Sequence, residues 1–395
     1  MSDRSGWRQV FLYDRSGRVV RQVTRDSMDV LSINSVDEKN GWLYVTAAAP
    51  DPTQRNVYRF SLDGKRSERV TKGDGTHSVT ISPGARYLVD TYSTINSPPT
   101  RTLYELPSLK MVRVLAEPTK LRDKLASLKL REPQFMKVPM PDGLLLDAYR
   151  IVPADFDSTK KHPVLMFVYG GPAAPQVNNT WLGNRYLWHQ MLAQKGYVVM
   201  VVDNRGAAWR GRNFRKTTQL FMGIKESQDQ IDAAKWIGRQ TWADASRIGI
   251  WGWSYGGFMT ALTTARGGDV FRAGISVAPV TDWRYYDTIY TERFMWIPRE
   301  NSAGYTQTSV MSHVDSLKAM LLLVHGTGDD NVHPQNTTAL VNKLIEKKKP
   351  FYELMYPNRT HSISGGSTQA HLYGMFTRFL DEQLAGTSAP QRLTP

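Results

Sequence analysis

The chain of 395 residues contains no cysteine. That absence excludes a disulfide framework, a thiolate metal site and a cysteine nucleophile, so the fold depends on its packed core. The first residues, MSDRSGWRQV, lack the apolar run of a signal peptide. No stretch of about 18 uncharged apolar residues occurs, so we expect no membrane span. With 41% hydrophobic and 22% charged residues, the composition excludes disordered and collagen-like chains and favours a soluble globular protein.

Acidic residues are few relative to basic ones: 36 Asp and Glu stand against 50 Lys and Arg, which gives a net charge of +14. The basic residues are scattered along the chain, and the run Lys347–Lys349 stands out. We therefore predict a generally basic surface and expect no nucleic-acid partner; a nucleic-acid role is the weaker alternative.

Residues 1–125 alternate short aromatic and β-branched runs with turns, a pattern that predicts antiparallel strands. Asp14–Gly17 and Leu62–Gly64 predict hairpin turns, because Asp and Gly accept the backbone angles of tight turns. The repeat of roughly 40 to 50 residues is typical of β-propeller blades. We predict a partial propeller of about two blades, whereas a closed propeller needs at least about four.

After a short predicted helix at 119–128, residues 126–395 alternate apolar runs with helical stretches, which predicts a doubly wound, mostly parallel α/β sheet. The predicted strands are 164–169, 197–203, 248–253, 273–279, 320–326 and 351–357, and the predicted helices are 227–240, 257–267, 336–349 and 370–385.

The sequence Gly252-Trp253-Ser254-Tyr255-Gly256 follows a predicted strand and precedes a predicted helix. This is the nucleophile-elbow pattern of the α/β-hydrolase fold, in which Ser254 would be the nucleophile. The fold requires an acid and then a histidine later in the chain. Asp329 or its neighbour Asp330 follows the strand at 320–326, and pattern alone does not separate the two. His361, which follows the last predicted strand, fits the position of the base. The histidines that do not fit are His77, His162, His189, His313, His325, His333 and His371.

An oxyanion hole needs the backbone N–H after the nucleophile, here that of Tyr255, and a second donor from a loop after an early strand. The loop at 168–175, VYGGPAAP, fits, and Tyr169 offers a phenol. An aromatic residue at a strand end before a glycine turn is the alternative interpretation.

The residues match a known family at this point. The hydrolase region resembles the dipeptidyl peptidase IV branch of the prolyl oligopeptidase family of serine peptidases. The resemblance is carried by the segments GWSYGGFM, VYGGP, DNRG, APVTDWRYYDTIYTERFM and HGTGDDNVH and by the His361 loop. The first region is similar to the last blades of the family's propeller, in DEKNGWLYVTA and DGTHSVTISP.

The resemblance implies a triad of Ser254, Asp329 and His361 and an oxyanion hole formed by Tyr169 and the Tyr255 amide. It implies that peptides are cleaved after proline or alanine held in an apolar slot, with Asn331 bonding the substrate carbonyl that precedes that residue. The implied substrate-binding residues are Trp253, Val280, Trp283, Tyr286, Tyr290, Asn331 and Val332. No metal or cofactor is expected, and a homodimer through the hydrolase domain is implied because relatives often dimerise there.

The family's propeller glutamates, which grip the free amine of the substrate, lie upstream of this sequence. We therefore expect a truncated chain whose longer parent releases dipeptides. The alternatives are a broad carboxylesterase that uses the same residues and a non-catalytic binding module. The compartment stays open: the periplasm or the exterior for a longer parent, and the cytoplasm if the chain is complete as given.

Overall fold

The computed structural model describes residues 1–207 and 209–386. The strands of the first part are β1 (Phe11–Tyr13), β2 (Val19–Gln22), β3 (Val30–Asp37), β4 (Trp42–Ala47), β5 (Asn56–Ser61), β6 (Ser67–Arg69), β7 (Thr76–Ile81), β8 (Tyr87–Thr94), β9 (Ser97–Glu105) and β10 (Lys110–Ala116). The later strands are β11 (Gln134–Pro139), β12 (Leu145–Ile151), β13 (His162–Phe167), β14 (Val198–Val202), β15 (Ala243–Trp253), β16 (Ala273–Val277), β17 (Met320–Gly326) and β18 (Phe351–Tyr356).

The helices are α1 (Thr119–Ser127), α2 (Asn184–Gln194), α3 (Gly211–Arg215), α4 (Ile224–Gly238), α5 (Tyr255–Gly267), α6 (Thr288–Met295), α7 (Ser302–Thr308), α8 (Gln335–Glu346) and α9 (Thr368–Leu380), which continues as a π-helical turn at Asp381–Ala385. In the described part of the chain, no helix is long and apolar enough to cross a membrane.

The described residues form two compact units. The first contains Met1–Pro133, Val177–Leu187 and 209–216, and the second contains Gln134–Gln176, Trp188–Ala207 and 217–386. The predicted domain boundary at 125/126 stays a prediction.

The first unit contains two four-stranded antiparallel sheets, ordered β3-β4-β5-β6 and β10-β9-β8-β7, and the hairpin β1-β2, as far as the described residues go. Both predicted turns join paired strands: Gly17 and Gly64 have φ of 83° and 75°, which glycine adopts without strain. Val30, Val45 and Phe60 are buried in one core cluster and Tyr44, Val57 and Leu88 in another. These sheets correspond to the predicted blades.

The second unit is built on one eight-stranded sheet with the order β11-β12-β14-β13-β15-β16-β17-β18. β11, β12 and β14 pair antiparallel, and the pairs from β14 to β18 are parallel. β14 and β16 are buried along their whole length, as expected of strands covered on both faces. The carboxyl ends of β13, β15 and β17 lie at one edge of this sheet, where ligands bind in open α/β folds.

Candidate active site

Ser254 lies at the sharp turn between β15 and α5, with φ 63° and ψ −121°. A residue with a Cβ rarely adopts a positive φ, so the surrounding structure must hold this conformation. The Ser254 N–H donates to the Val277 carbonyl at 2.8 Å, and the Ser254 carbonyl accepts from the Phe258 N–H at 3.0 Å. The turn therefore fixes the predicted nucleophile at the N-terminus of α5.

Steric crowding by backbone atoms requires glycine at three positions around Ser254. A Cβ on Gly252 would lie 2.3 Å from the Gly256 carbonyl oxygen, and a Cβ on Gly256 would lie 2.3 Å from that of Val168. A Cβ on Gly257 would lie 2.4 Å from the Val277 carbonyl oxygen. Because these neighbours are backbone atoms, a larger residue would displace the elbow itself.

Asp329 and His361 form a hydrogen-bonded pair with 2.7 Å between Asp329 Oδ2 and His361 Nδ1. Asp329 Oδ1 accepts the backbone N–H groups of Asn331 and Val332, each at 3.0 Å. Burial by itself would raise the pKa of Asp329, but hydrogen bonds from His325 and His361 outweigh it and hold that pKa well below its ordinary value. Asp329 is thus a buried carboxylate, whereas Asp330 is exposed.

Backbone contacts fix the His361 loop against the Asp329 loop. The Gly328 N–H donates to the Arg359 carbonyl at 3.0 Å, and the Asn358 N–H donates to Thr327 Oγ1 at 2.8 Å. His325, which pattern excluded as a base, is fully buried behind Asp329, with its Nε2 3.3 Å from Asp329 Oδ2. The same Nε2 lies 2.7 Å from the Val332 carbonyl, and the His325 Nδ1 lies 2.7 Å from Thr337 Oγ1, so His325 joins the Asp329 loop to α8. Only its place in the strand before Asp329 could have indicated this contact.

The elbow and the His361 loop are joined through Trp253. Its indole Nε1 donates to the His361 carbonyl at 2.9 Å. Within the described residues, the Ser254 hydroxyl itself makes no hydrogen bond. Catalytic hydrogen bonds in ligand-free enzymes are often long or poorly aligned and tighten only when substrate binds, so this does not remove Ser254 as the candidate nucleophile.

Tyr169 follows β13 and lies beside the residue after Ser254: the ring centroids of Tyr169 and Tyr255 are 6.0 Å apart. Burial raises the pKa of Tyr169, so its phenol keeps its proton at neutral pH and can donate a hydrogen bond. Gly170, at φ 79°, turns the chain directly after Tyr169. These features suit a donor to an oxyanion.

The predicted slot residues form an aromatic cluster. Trp283 stacks on Tyr290 with 6.1 Å between ring centroids and lies 5.3 Å from Tyr255, and Tyr286 lies 5.5 Å from Tyr290. The Tyr286 hydroxyl donates to Asn331 Oδ1 at 2.9 Å. Val280 and Val332, two further predicted substrate-binding residues, are buried, and Trp253 is the residue that contacts the His361 carbonyl.

In residues 1–207 and 209–386, no group of three or more His, Asp or Glu side chains could hold a metal ion.

Known proteins resemble both parts of the chain. The profile described as the prolyl oligopeptidase family matches residues 185–387, and that of the dipeptidyl peptidase IV N-terminal region matches residues 1–99. Dipeptidyl peptidase 4 of Trichophyton equinum is 37% identical over 352 residues, which cover 87% of this chain and 45% of that protein. The corresponding protein of Arthroderma otae is 37% identical over 353 residues, with the same shares covered.

The crystal structure of Porphyromonas gingivalis dipeptidyl peptidase 4 superimposes with a TM-score of 0.93 at 39% identity, covering 97% of this chain and 54% of that one. The chain thus spans about half the length of the curated relatives it matches.

These likenesses confirm the predicted fold class: an α/β-hydrolase domain preceded by a β-propeller segment. The fold and the strand–turn–helix elbow at Ser254 are those of the α/β-hydrolase class. The chain belongs to the prolyl oligopeptidase family, in its dipeptidyl peptidase IV branch.

Proposed function

We propose that this chain carries the catalytic site of a serine peptidase that releases dipeptides by cleavage after proline or alanine. The observation that carries the proposal is the hydrogen bond between buried Asp329 and partly exposed His361, whose carbonyl is joined through Trp253 to the strained Ser254 elbow. The curated relatives named dipeptidyl peptidase 4 support the substrate class.

The reaction is an acyl transfer in two steps. His361 takes the proton of Ser254 as Oγ bonds to the substrate carbonyl carbon, and it returns that proton to the amine that leaves when the C–N bond breaks. Water then attacks the carbonyl carbon of the acyl-enzyme and gives a proton to His361. When the ester C–Oγ bond breaks, His361 passes this proton to Ser254 Oγ, and the dipeptide leaves with a new carboxyl group. Asp329 holds His361 by its Nδ1–H at 2.7 Å and stabilises the imidazolium that forms. All the groups in these steps are supplied by the chain and water.

The oxyanion of each tetrahedral intermediate accepts hydrogen bonds from the Tyr255 N–H and the Tyr169 phenol. The N–H lies in the first turn of α5, where the helix dipole also favours negative charge. The phenol is protonated because burial raises the pKa of Tyr169.

Proline or alanine occupies the aromatic cluster of Tyr255, Trp283, Tyr286 and Tyr290, which buries a rigid ring at a low entropic cost. Asn331 uses its amide oxygen to accept from Tyr286, which leaves its NH₂ group to donate to the substrate carbonyl preceding that residue. We propose the domain division 1–125 and 126–395 and a homodimer through the hydrolase domain on the same resemblance.

The test labels the chain with a fluorophosphonate, maps the modified peptide, and assays p-nitrophenyl butyrate, Gly-Pro-p-nitroanilide and the N-acetylated form of that anilide. We expect label on Ser254 and turnover of ester and anilide. In Ser254→Ala, with folding retained, we expect label and turnover to fall by roughly 10⁴-fold or more.

Turnover of the ester without turnover of the anilide would show that the chain acts as a carboxylesterase and would contradict the proposed peptidase activity. Equal turnover of the free and acetylated anilides would show that the amine of the substrate is not recognised by this chain. Folded protein that neither reacts with the probe nor hydrolyses the ester would remove the catalytic assignment in favour of a binding module.

A further inference from the structure

The helix behind the site, α4, buries four polar side chains, and three of them contact Tyr255 or the segment beside the Tyr169 loop. Glu226, Asp229 and Gln230 are all fully buried and follow the i, i+3, i+4 spacing that places residues on one face of a helix. Buried polar groups are costly unless they are hydrogen-bonded, so their partners indicate what they hold in place.

Gln230 reaches the loop that carries Tyr169. Its Nε2 donates to Asn204 Oδ1 at 3.1 Å, and Asn204 Nδ2 in turn donates to the Gly170 carbonyl at 3.0 Å. The Gly170 carbonyl belongs to the second peptide group after Tyr169. These contacts therefore fix the turn that orients the Tyr169 phenol. A Cβ on Gly170 would lie 2.9 Å from Asn204 Oδ1, which shows how closely the two are packed.

Asp229 holds the residue that follows Asn204. Its Oδ2 accepts from the Arg205 backbone N–H at 2.8 Å and from Arg205 Nε at 3.0 Å. The segment that contacts Gly170 is therefore fixed by two neighbouring side chains of α4.

Glu226 reaches the other donor. The phenol of Tyr255 donates to Glu226 Oε1 at 3.1 Å, and both side chains are buried. Tyr255 supplies the backbone N–H directly after Ser254, and its ring also packs against Phe258 and Trp283 at 5.4 and 5.3 Å. Fixing the phenol fixes the first residue of α5.

We propose that the buried polar face of α4 positions both donors of the oxyanion hole, with Glu226 as the positioning residue for Tyr255 and Gln230, through Asn204, as that for the Tyr169 loop. The proposal rests on the proposed acyl transfer. Glu226 touches neither substrate nor the reacting atoms; it acts through Tyr255.

Several charged and titratable groups surround Glu226: Tyr255 and Arg266 on α5, Tyr290 on α6 and Asp229 on its own helix. Arg266 donates to the Ile224 carbonyl at 2.7 Å, and Arg205 neutralises Asp229. Burial raises the pKa of Glu226 from its ordinary value of 4.5 to about 7, although hydrogen bonds from backbone N–H groups and from Tyr255 oppose the rise.

The test compares Glu226→Gln, whose amide oxygen can still accept from Tyr255, with Glu226→Leu, which cannot, and uses Asp232→Asn as the matched change on the same helix. Turnover of p-nitrophenyl butyrate is expressed per Ser254 titrated by fluorophosphonate, so a loss of folded protein does not count as a loss of rate. We expect Glu226→Leu to lower kcat per site by roughly 10- to 100-fold with KM little changed, a part of the effect of deleting an oxyanion donor. We expect Glu226→Gln and Asp232→Asn to stay within about threefold of wild type.

Tyr255→Phe removes the same hydrogen bond from the other side and serves if Glu226→Leu does not fold. The decrease in kcat per titrated site should match that of Glu226→Leu. The double variant should show no larger decrease than either single variant, because both substitutions remove the same hydrogen bond. A boronic acid that bonds Ser254 should bind more weakly to Glu226→Leu, while a product-like Gly-Pro dipeptide should not.

A second measurement needs no turnover. The pKa of Glu226 is higher in the folded chain than in the unfolded one, so its protonated form favours folding below about pH 4.5 and that advantage is lost as the pH rises through about 7. Glu226→Gln should therefore raise the urea midpoint relative to wild type more at pH 8 than at pH 5, and Asp232→Asn should not.

A Glu226→Leu enzyme with unchanged kcat per titrated site would overturn the inference and leave the peptidase proposal intact. A Gln variant as impaired as the Leu variant would also count against it, since the acceptor would not be what matters. Wild-type protein that neither reacts with the probe nor hydrolyses the ester would instead defeat the proposed function, and the inference with it.

Discussion

The adjacent residues Asp329 and Asp330 differ in burial and in their contacts with His361. Asp329 is buried and bonded to His361 and two backbone N–H groups, with His325 Nε2 3.3 Å away, while Asp330 is exposed. A carboxylate that orients a histidine must receive its N–H, and the distance of 2.7 Å meets that need at Asp329.

We therefore expect Asp329→Asn to lower kcat for p-nitrophenyl butyrate by roughly 10⁴-fold, because the amide favours the wrong imidazole tautomer. Asp330→Asn is the matched control and should stay within about threefold of wild type. The kcat values at pH 8, corrected for folded protein by circular dichroism, decide between the two. Equal effects of the two substitutions would contradict the assignment of Asp329 as the acid.

At the scale of elements, the elbow depends on a close approach of β15 and α5 to the end of β13. A Cβ on Gly256 would lie 2.3 Å from the Val168 carbonyl oxygen, so Gly256→Ala must displace either the start of α5 or the strand that leads to Tyr169. We expect a loss of about 1–3 kcal/mol in the free energy of unfolding and at least about a 100-fold loss in labelling rate by fluorophosphonate.

Gly238→Ala at the end of α4 is the control for that substitution. Its Cβ would meet the methyl group of Ala245 at 3.2 Å, a contact that small shifts relieve, so labelling should be unchanged. Urea denaturation and probe kinetics on both variants make the comparison. Wild-type labelling in Gly256→Ala would show that the elbow does not need this packing.

Strands that are buried along almost their whole length were predictable from sequence. β17 matches its predicted range, and β14 and β16 lie within theirs, because strands covered on both faces appear as apolar runs. α6 was not predicted: Ile289 in its first turn is 88% exposed, which breaks the amphipathic pattern. Asp287, which accepts from the Tyr290 N–H at 2.8 Å, was the available signal for its start.

The candidate site was also predictable in part. Residues defined by local motif, such as Ser254 in its elbow, follow from pattern, and Asp329, His361 and Tyr169 follow from chain order and resemblance. Glu226, Asp229 and Gln230 were missed because a helix of polar residues is usually a solvated one, and only the packing of α4 shows that these are buried. The sequence shows their i, i+3, i+4 spacing, but it does not show that this face of the helix is buried.

The residues of the predicted triad, of the proposed oxyanion hole and of the aromatic cluster all come from the second compact unit of the chain. Half the length of the matched relatives is enough to bring these groups together. The recognition of a substrate's free amine is a separate question, which the pair of free and acetylated anilides answers directly.

The net charge of +14 is a property of the whole surface, and it predicts only diffuse attraction to polyanions. Some arginines form salt bridges with buried carboxylates, among them Arg205 with Asp229 and Arg215 with Asp29. We expect two unrelated DNA duplexes to bind equally weakly at about 50 mM NaCl and to be released by about 200 mM, because binding through phosphates alone weakens steeply with salt. Fluorescence anisotropy across a salt series measures this. A duplex that stays bound at 200 mM NaCl, or one preferred over the other, would contradict the diffuse field and restore nucleic acid as a partner.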